Sequence, residues 1–440
     1  MTRQRRICAP DRLQPIGAFT MLLLLLAGTN AAGQGAAVPV GPLSLQDAVR
    51  WAIEREPGLR AERTGIDVAR GNVSQAGLKP NPTISLGWQQ QPGGSDNQTA
   101  LTVVWPLELF RAAGRVAVAE READATRFRI TDRERQLVAE VRAAYGAAAA
   151  AQRELDVLTQ LADTATRQIE VLRSRVDSGA APALDRDLFL VDRRRLDADR
   201  LLLDARANNA RLALQRLLGL DPTDRVALGD SLESLVEARS AASTSTDLLA
   251  RERPDVQAAA TGVRVADAAL DRAHREGRFD MSLFGTYTRM QTMFPQLGVG
   301  ARGVLQPVGD TFHYLALGAT LTVPWRNDNR GEITAAEARR RAAEAQFAAA
   351  ALQARTEITA ATTLDQQSLN AVSLYAQEIL PLARQNIDVV RRTYDLGRGT
   401  VADVLAEQRR YFEIERAYTD ALKQAYDART TLLSAQGVQP

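Results

Sequence analysis

Residues Arg173–Asp185 read RSRVDSGAAPALD, and residues Arg391–Asp403 read RRTYDLGRGTVAD. Arg173, Asp177, Gly179 and Asp185 recur as Arg391, Asp395, Gly397 and Asp403, so that Gly397 lies 218 positions after Gly179 (397 − 179). Each stretch offers a glycine suited to the left-handed residue that closes a helix, then an acid where a following helix would begin. The chain therefore writes one helix–turn–helix twice, and the surrounding residues show how far the copy extends.

Upstream of each turn, Pro106 to Gly179 and Pro324 to Gly397 run about 72 residues without a strong break, roughly 108 Å of helix at 1.5 Å per residue. Leu155, Leu158, Ala162, Ala165, Ile169, Leu172 and Val176 step by three and four, as in the seam of a coiled coil. Their counterparts 218 later are Ser373, Ala376, Leu380, Ala383, Ile387, Val390 and Tyr394, which predicts the same register in the second copy. Pro381 interrupts that copy and predicts a bend, because an interior proline costs about 3 kcal/mol unless a kink frees the carbonyl it opposes. Shorter helices follow the turns and end at Gly219 and Gly437, again at one spacing.

Ser44 with Asp47 forms a capping box that opens a helix to about Leu78, and a matching helix runs from near Thr246 to about Arg278. Here EPGLRA at 56–61 matches RPDVQA at 253–258 with an offset of 197 (254 − 57), which places an insertion of about 21 residues between Met281 and Pro324. That region is strand-like. Ile84, Leu86 and Trp88 alternate with Ser85 and Gly87; Leu101, Val103 and Trp105 alternate with Ala100, Thr102 and Val104. In the second copy Met281, Leu283 and Gly285 precede what reads as a longer loop, before Leu315, Leu317, Ala319, Leu321 and Val323.

One face of bulky apolar groups and one of small or polar groups, with Trp88, Trp105, Phe312 and Trp325 near the ends, suits tilted strands of a water-filled membrane barrel. Four strands cannot close a barrel of at least eight, so two or more chains must share one. One long helix equals two shorter ones end to end, so each copy forms two columns of equal height. Gly179 and Gly397 then mark the far tip.

The organisation reads as a signal peptide at 1–31, an N-terminal segment at 32–43 and repeat 1 at 44–218, with a hairpin at about 82–106, a long helix at 107–178 and a short one at 183–218. A linker at 219–246 leads to repeat 2 at 247–437, with a hairpin at about 280–324 and helices at 325–396 and 401–436. The signal reading rests on Arg3, Arg5 and Arg6 before the apolar run Ile16–Ala27, with small residues offering cleavage near Ala31 or Ala37. Cys8, the only cysteine, precedes that run, so the mature chain is expected to hold no disulfide, thiol nucleophile or lipid anchor.

The balance of 55 basic and 53 acidic residues leaves no nucleic-acid footprint. His274 and His313 are too far apart for a helical metal pair and read as surface or strand residues; Met290 and Met293 read as fillers of the longer loop. No phosphate-binding loop and no nucleophile–base pair is present, so no catalytic residue, metal or cofactor is expected, and any energy must come from a partner.

LKPNPTISL from Leu78 and VPWRNDNRGEITAAEA from Val323, set among duplicated long helices, resemble the TolC-type outer membrane factor family, in its heavy-metal (cobalt-zinc-cadmium type) efflux branch. The resemblance spans about Ser44 to Gly437. It implies a mainly α fold with a small β part: a long-helix α-barrel, and four strands per chain in a transmembrane β-barrel shared by a homotrimer. It also implies a passive exit duct in the outer membrane with a long periplasmic extension, working with a periplasmic adaptor and an inner-membrane pump. The family's aperture motif falls on Tyr394, Gly397 and Asp403, with Gly179 and Asp185 as their first-copy companions at the tip. Ala406 stands where a second acid is expected and Gly399 where an arginine is, which reduces the acidic lining to one ring. Asp403 also reads as the helix cap of Thr400. A type I protein secretion duct and a soluble periplasmic coiled-coil adaptor are the alternative functions.

Overall fold

The structure, a computed structural model, describes residues 41–237 and 246–437. The signal segment with Cys8 and its cleavage positions, and residues 238–245 of the linker, lie outside the described residues. Ser44 caps α1 (Leu45–Arg55) by accepting from the Asp47 amide. The expected single helix to Leu78 is instead three: α1, α2 (Pro57–Arg63) and α3 (Gly65–Gly77). The second copy breaks likewise into α7 (Thr246–Glu252) and α8 (Pro254–Glu276). Proline is the cause at the matched position, since it excludes the preceding residue from helical geometry; Glu56 and Arg253 sit at ψ 121° and 136°.

The first long helix is α4 (Arg111–Asp177), followed beyond the turn by α5 (Ala183–Leu217). Its seam is buried from Leu158 through Leu172. The second is α9 (Arg330–Leu374), a π turn at Tyr375–Ile379 and α10 (Leu380–Asp395), followed by α11 (Val401–Ala435). The π turn is how Pro381 is accommodated: wider hydrogen bonding frees the carbonyl that an α-helix would press against the ring, and the chain stays helical through Leu374, Ile379 and Leu380. It also corrects the expected register. Leu380, Ala383 and Ile387 are buried, but Ser373 and Ala376 are exposed, because one extra residue in a turn rotates the upstream face by about 100° at 3.6 residues per turn.

Four antiparallel strands form one sheet in the order β1 (Thr83–Gln90), β2 (Asn97–Pro106), β3 (Asp280–Val299) and β4 (Leu305–Thr322). The insertion therefore lengthens strands and not a loop: β3 and β4 have 20 and 18 residues against 8 and 10 in the first hairpin, joined by residues 300–304 alone. Met290 and Met293 lie on β3 accordingly, a correction to their placement in a loop. Paired residues share a face, which carries Ile84, Leu86, Leu101, Val103, Leu283, Leu315 and Leu317. Leu86, Leu315 and Leu317 are 76%, 74% and 78% exposed. The opposite face is small and polar at Ala100, Thr102, Thr286, Ala316 and Thr320, with the Thr102 and Thr286 hydroxyls 3.0 Å apart, but carries Phe312 and Tyr314 farther along. Phe284 lies there over Gly318, where an added Cβ would come within 2.5 Å of its ring. Among the described residues, neither β1 nor β4 pairs along its outer edge.

The core is a chain of clusters strung along the helices. Its largest joins Leu43, Leu59, Leu137, Val141, Tyr145 and Leu214 near mid-length, where the Tyr145 hydroxyl donates to Leu43 O (2.8 Å) and accepts from the Asp230 amide (3.1 Å). Burial raises that phenol to about 12. After α5 the chain packs back over this level: Leu232, on α6 (Leu232–Glu237), is buried with Ala149, Leu422 and Tyr426. Among the described residues no helix is long and apolar enough to cross a membrane.

Candidate functional site: the paired helical turns

The two turns are built by the same bonds. Gly179 N–H reaches Val176 O and Ala180 N–H reaches Arg175 O (2.9 and 2.7 Å); Gly397 and Arg398 repeat this with Tyr394 and Thr393 (2.9 and 3.0 Å). Such closure needs a left-handed residue, and Gly179 and Gly397 have φ of +70° and +72°. A Cβ at either would meet nothing within 4 Å. Backbone conformation, not crowding, is therefore what calls for glycine here.

Beyond the turns the matched acids do different things. Asp403 completes a capping box: its carboxylate accepts from the Thr400 amide (3.0 Å) and hydroxyl (2.7 Å), while its own amide donates to the Thr400 hydroxyl (3.2 Å). Those bonds, the hydroxyl's first, hold the fully exposed Asp403 carboxyl below its ordinary value. Asp185 follows Pro182, where α5 starts without a side-chain cap, and its carboxylate accepts from the Tyr394 hydroxyl at 3.4 Å. Burial first, then the Asp185 charge, raises the Tyr394 phenol.

That bond ties one copy's turn to the other's, over a buried cluster of Ile169, Leu172, Phe189, Val401, Val404 and Leu405. Beside it a cavity of about 320 Å³ is lined by Arg167, Arg175, Arg391, Tyr394 and Asp395, among others. The structure thus gathers Tyr394, Asp185 and both turns at one end of the helices. Asp403 stands exposed at the start of α11, and Ala406, also exposed, adds no charge one turn on.

A second polar centre escaped the sequence reading. Glu415, 4% exposed, accepts from the Tyr411 hydroxyl (2.6 Å) and from Arg153 (3.2 Å) and Arg384 (3.4 Å). Arg153 also pairs with Glu233 at 2.5 Å and lies 4.9 Å from the Tyr418 ring centre. This centre links α4, α6, α10 and α11. Its one signal in sequence was an arginine following the run GAAAAAQ at 146–152. Among the described residues no group of three acid, histidine or cysteine side chains is placed to hold a metal ion. His274 lies in the last turn of α8 and His313 on β4.

Residues 48–220 match the family model for outer membrane efflux proteins. The chain is 23% identical over 393 residues to the cobalt-zinc-cadmium resistance protein CzcC of Cupriavidus metallidurans, covering 89% of each chain. It is 24% identical over 355 residues to the nickel-cobalt-cadmium resistance protein NccC of Alcaligenes xylosoxydans xylosoxydans, covering 78% of this chain and 74% of the other. Among solved structures it superposes on CusC, studied for its transmembrane channel formation, with a TM-score of 0.73 at 18% identity over 89% of this chain and 92% of that one. Long α-barrel helices and a four-strand share of a membrane β-barrel are the fold in common. The family match over residues 48–220, the near-full-length relatives and this shared fold agree in likening the chain to the TolC-type outer membrane efflux proteins.

Proposed function

We propose that three copies of this chain form one outer-membrane duct, the passive exit channel of a tripartite efflux system. The observation that carries the proposal is the open sheet: four strands with an exposed apolar face and, among the described residues, unpaired edges at β1 and β4. Left so in lipid, each edge strands backbone donors and acceptors at several kcal/mol apiece. Edge-to-edge pairing of three chains gives a closed twelve-stranded barrel with the Thr102–Thr286 face toward a wet lumen.

The helices extend from the strand ends at Thr83, Pro106, Asp280 and Thr322, so the paired turns project on the periplasmic side. There Tyr394, Gly397 and Asp403, with Gly179 and Asp185, form the tip and periplasmic aperture, where an adaptor and an inner-membrane pump engage the duct. The Tyr394–Asp185 bond holds the two turns of one chain together, and three Asp403 carboxylates facing a narrow opening favour cations. The named roles of the CzcC and NccC relatives support divalent metal ions as cargo.

Native mass in mild detergent, measured on protein from the outer-membrane fraction, tests the assembly: three chains per particle are expected. A monomer recovered without detergent from the periplasm overturns the barrel and favours a soluble coiled-coil adaptor. Deletion of the gene is expected to sensitise cells to cobalt, zinc, cadmium or nickel. Unchanged resistance, with passenger polypeptides retained inside the cell, moves the duct to protein secretion.

A further inference from the structure

One row of the sheet departs from its apolar face. Strand pairing places Trp88 opposite Thr99, Thr99 opposite Arg289, and Arg289 opposite His313. On the same face, toward the helices, come the rows Leu86–Leu101–Tyr287–Leu315 and Ile84–Val103–Gly285–Leu317; on the far side comes Gln90–Asn97–Gln291–Thr311. From Met281 to Arg289 the strand runs nine residues, within the roughly 9–11 with which a tilted strand crosses the apolar band of an outer membrane. Arg289 therefore stands at the band's rim on the side away from the helices.

The chemistry of that rim is cationic and unanswered. Arg289 is exposed and has no ion pair or side-chain hydrogen bond among the described residues. Across from it, His313 Nδ1 lies 2.6 Å from the Tyr287 hydroxyl, and the two rings stack with centroids 5.9 Å apart. With Tyr287 donating to Nδ1, the imidazole keeps its proton on Nε2 and offers a second donor beside the guanidinium. Thr99, in the same row, adds a hydroxyl. Neither this row nor the row on either side of it carries a carboxylate. Arginine at an apolar boundary lays its stem on the hydrocarbon face and its head toward the headgroups.

We propose that Arg289, His313 and Thr99 form a binding site for the phosphate of an anionic membrane lipid, whose acyl chains lie along Leu86, Leu315 and Leu317. A soluble anion would use the donors but leave those exposed leucines in water; a neutral lipid would cover the leucines but leave the guanidinium without a counter-charge. The site rests on the reading of the sheet as part of a membrane barrel. It does not depend on the cargo or on the helical tip.

Native mass spectrometry of the protein in mild detergent micelles tests the site with three probes: phosphatidylglycerol, diacylglycerol of the same chains, and inorganic phosphate. Retention of phosphatidylglycerol in preference to the other two is expected. Arg289→Gln is expected to lower that retention roughly fivefold, the effect of one cation at a membrane surface, with a smaller loss in His313→Ala and none in Arg302→Gln on the connecting turn. Undiminished retention in Arg289→Gln overturns the site. Equal retention of diacylglycerol overturns the role of phosphate, and equal retention of inorganic phosphate overturns the role of lipid. The oligomeric mass of each variant is read in the same spectra, so collapse of the assembly, which counts against the barrel, is distinguished from loss of lipid by an intact particle.

Discussion

The helix α4 reaches its turn through 67 unbroken residues, whereas the second copy reaches the same turn as 45 residues of α9, a π turn and 16 residues of α10. Burial explains what each can tolerate. From Gly114 to Leu172 α4 is buried at intervals along nearly its whole length, packed by α3, α5, α8 and α11. Upstream of its π turn α9 buries only Ala336, Ala354, Ile358, Ala361 and Ser368, and leaves Leu352, Leu364 and Leu374 about half exposed. Within one chain α4 is the central column, while α9 presents a side that a neighbouring chain would cover in the proposed trimer. A proline is affordable in the second and not in the first.

That difference predicts the largest effect. Asp163 is the first-copy position matching Pro381 and is exposed on α4. Asp163→Pro is expected to cost about 3 kcal/mol, the price of an interior proline without a π turn to absorb it, read as a fall in the thermal midpoint. Pro381→Ala is expected to slow amide exchange across residues 375–380 as the π turn relaxes to α-helix. If Asp163→Pro unfolds no earlier than the parent, the unbroken column is not what holds the chain together.

Close packing gives the next test. Gly146 lets α4 approach Tyr426 on α11 so nearly that an added Cβ would lie 2.3 Å from the ring. Gly146→Ala is expected to cost about 1–3 kcal/mol, as forced overpacking does. Its counterpart Leu364 is 53% exposed, so Leu364→Ala in the isolated chain is expected to stay within about 0.5 kcal/mol. A larger loss in the assembled protein alone would show that the neighbour covers Leu364.

Legibility followed the same division. The turns were readable because Gly179 and Gly397 must supply positive φ, and that demand falls on one residue whatever surrounds it. The strands were readable where one face alternated cleanly, as in Ile84, Leu86 and Trp88. They were missed between Thr286 and His313, where Gly298, Gly309 and Pro307 look like loop residues and pairing between two long strands overrides local preference. The π turn was invisible, since Pro381 requires only that a carbonyl be freed and not how. Of the tip, spacing gave the residues; that Asp185 would turn to Tyr394 while its counterpart Asp403 turned to Thr400 depended on which helix lay opposite.

A smaller effect belongs to the mid-level contact that the first copy alone makes. Tyr145 binds Leu43 and Asp230, whereas its counterpart Thr363 is exposed and bonds only the Thr359 carbonyl of its own helix. Tyr145→Phe is expected to cost about 1 kcal/mol, the usual net value of a buried hydrogen bond, and Thr363→Val close to nothing, both measured by thermal unfolding. Equal losses would dissolve the contrast at that level.

The smallest effect separates the two acids at the tip. The folded-state carboxyl of Asp403 titrates below its unfolded value of 3.8, so the cap's contribution is fully present above that value and is lost as pH falls through the folded one. Exchange of the Thr400 amide, corrected for its intrinsic rate, should therefore accelerate on acidification below about pH 4. Asp403→Asn should flatten that step, because the amide oxygen still accepts but no longer titrates. The first-copy turn has no carboxylate cap: the Asp185 amide bonds to Pro182 O at 3.1 Å, and its exchange should show no matching step. If both turns loosen together in acid, the Asp185–Tyr394 bond couples them, and the tip responds to pH as one unit in place of two independently capped ends.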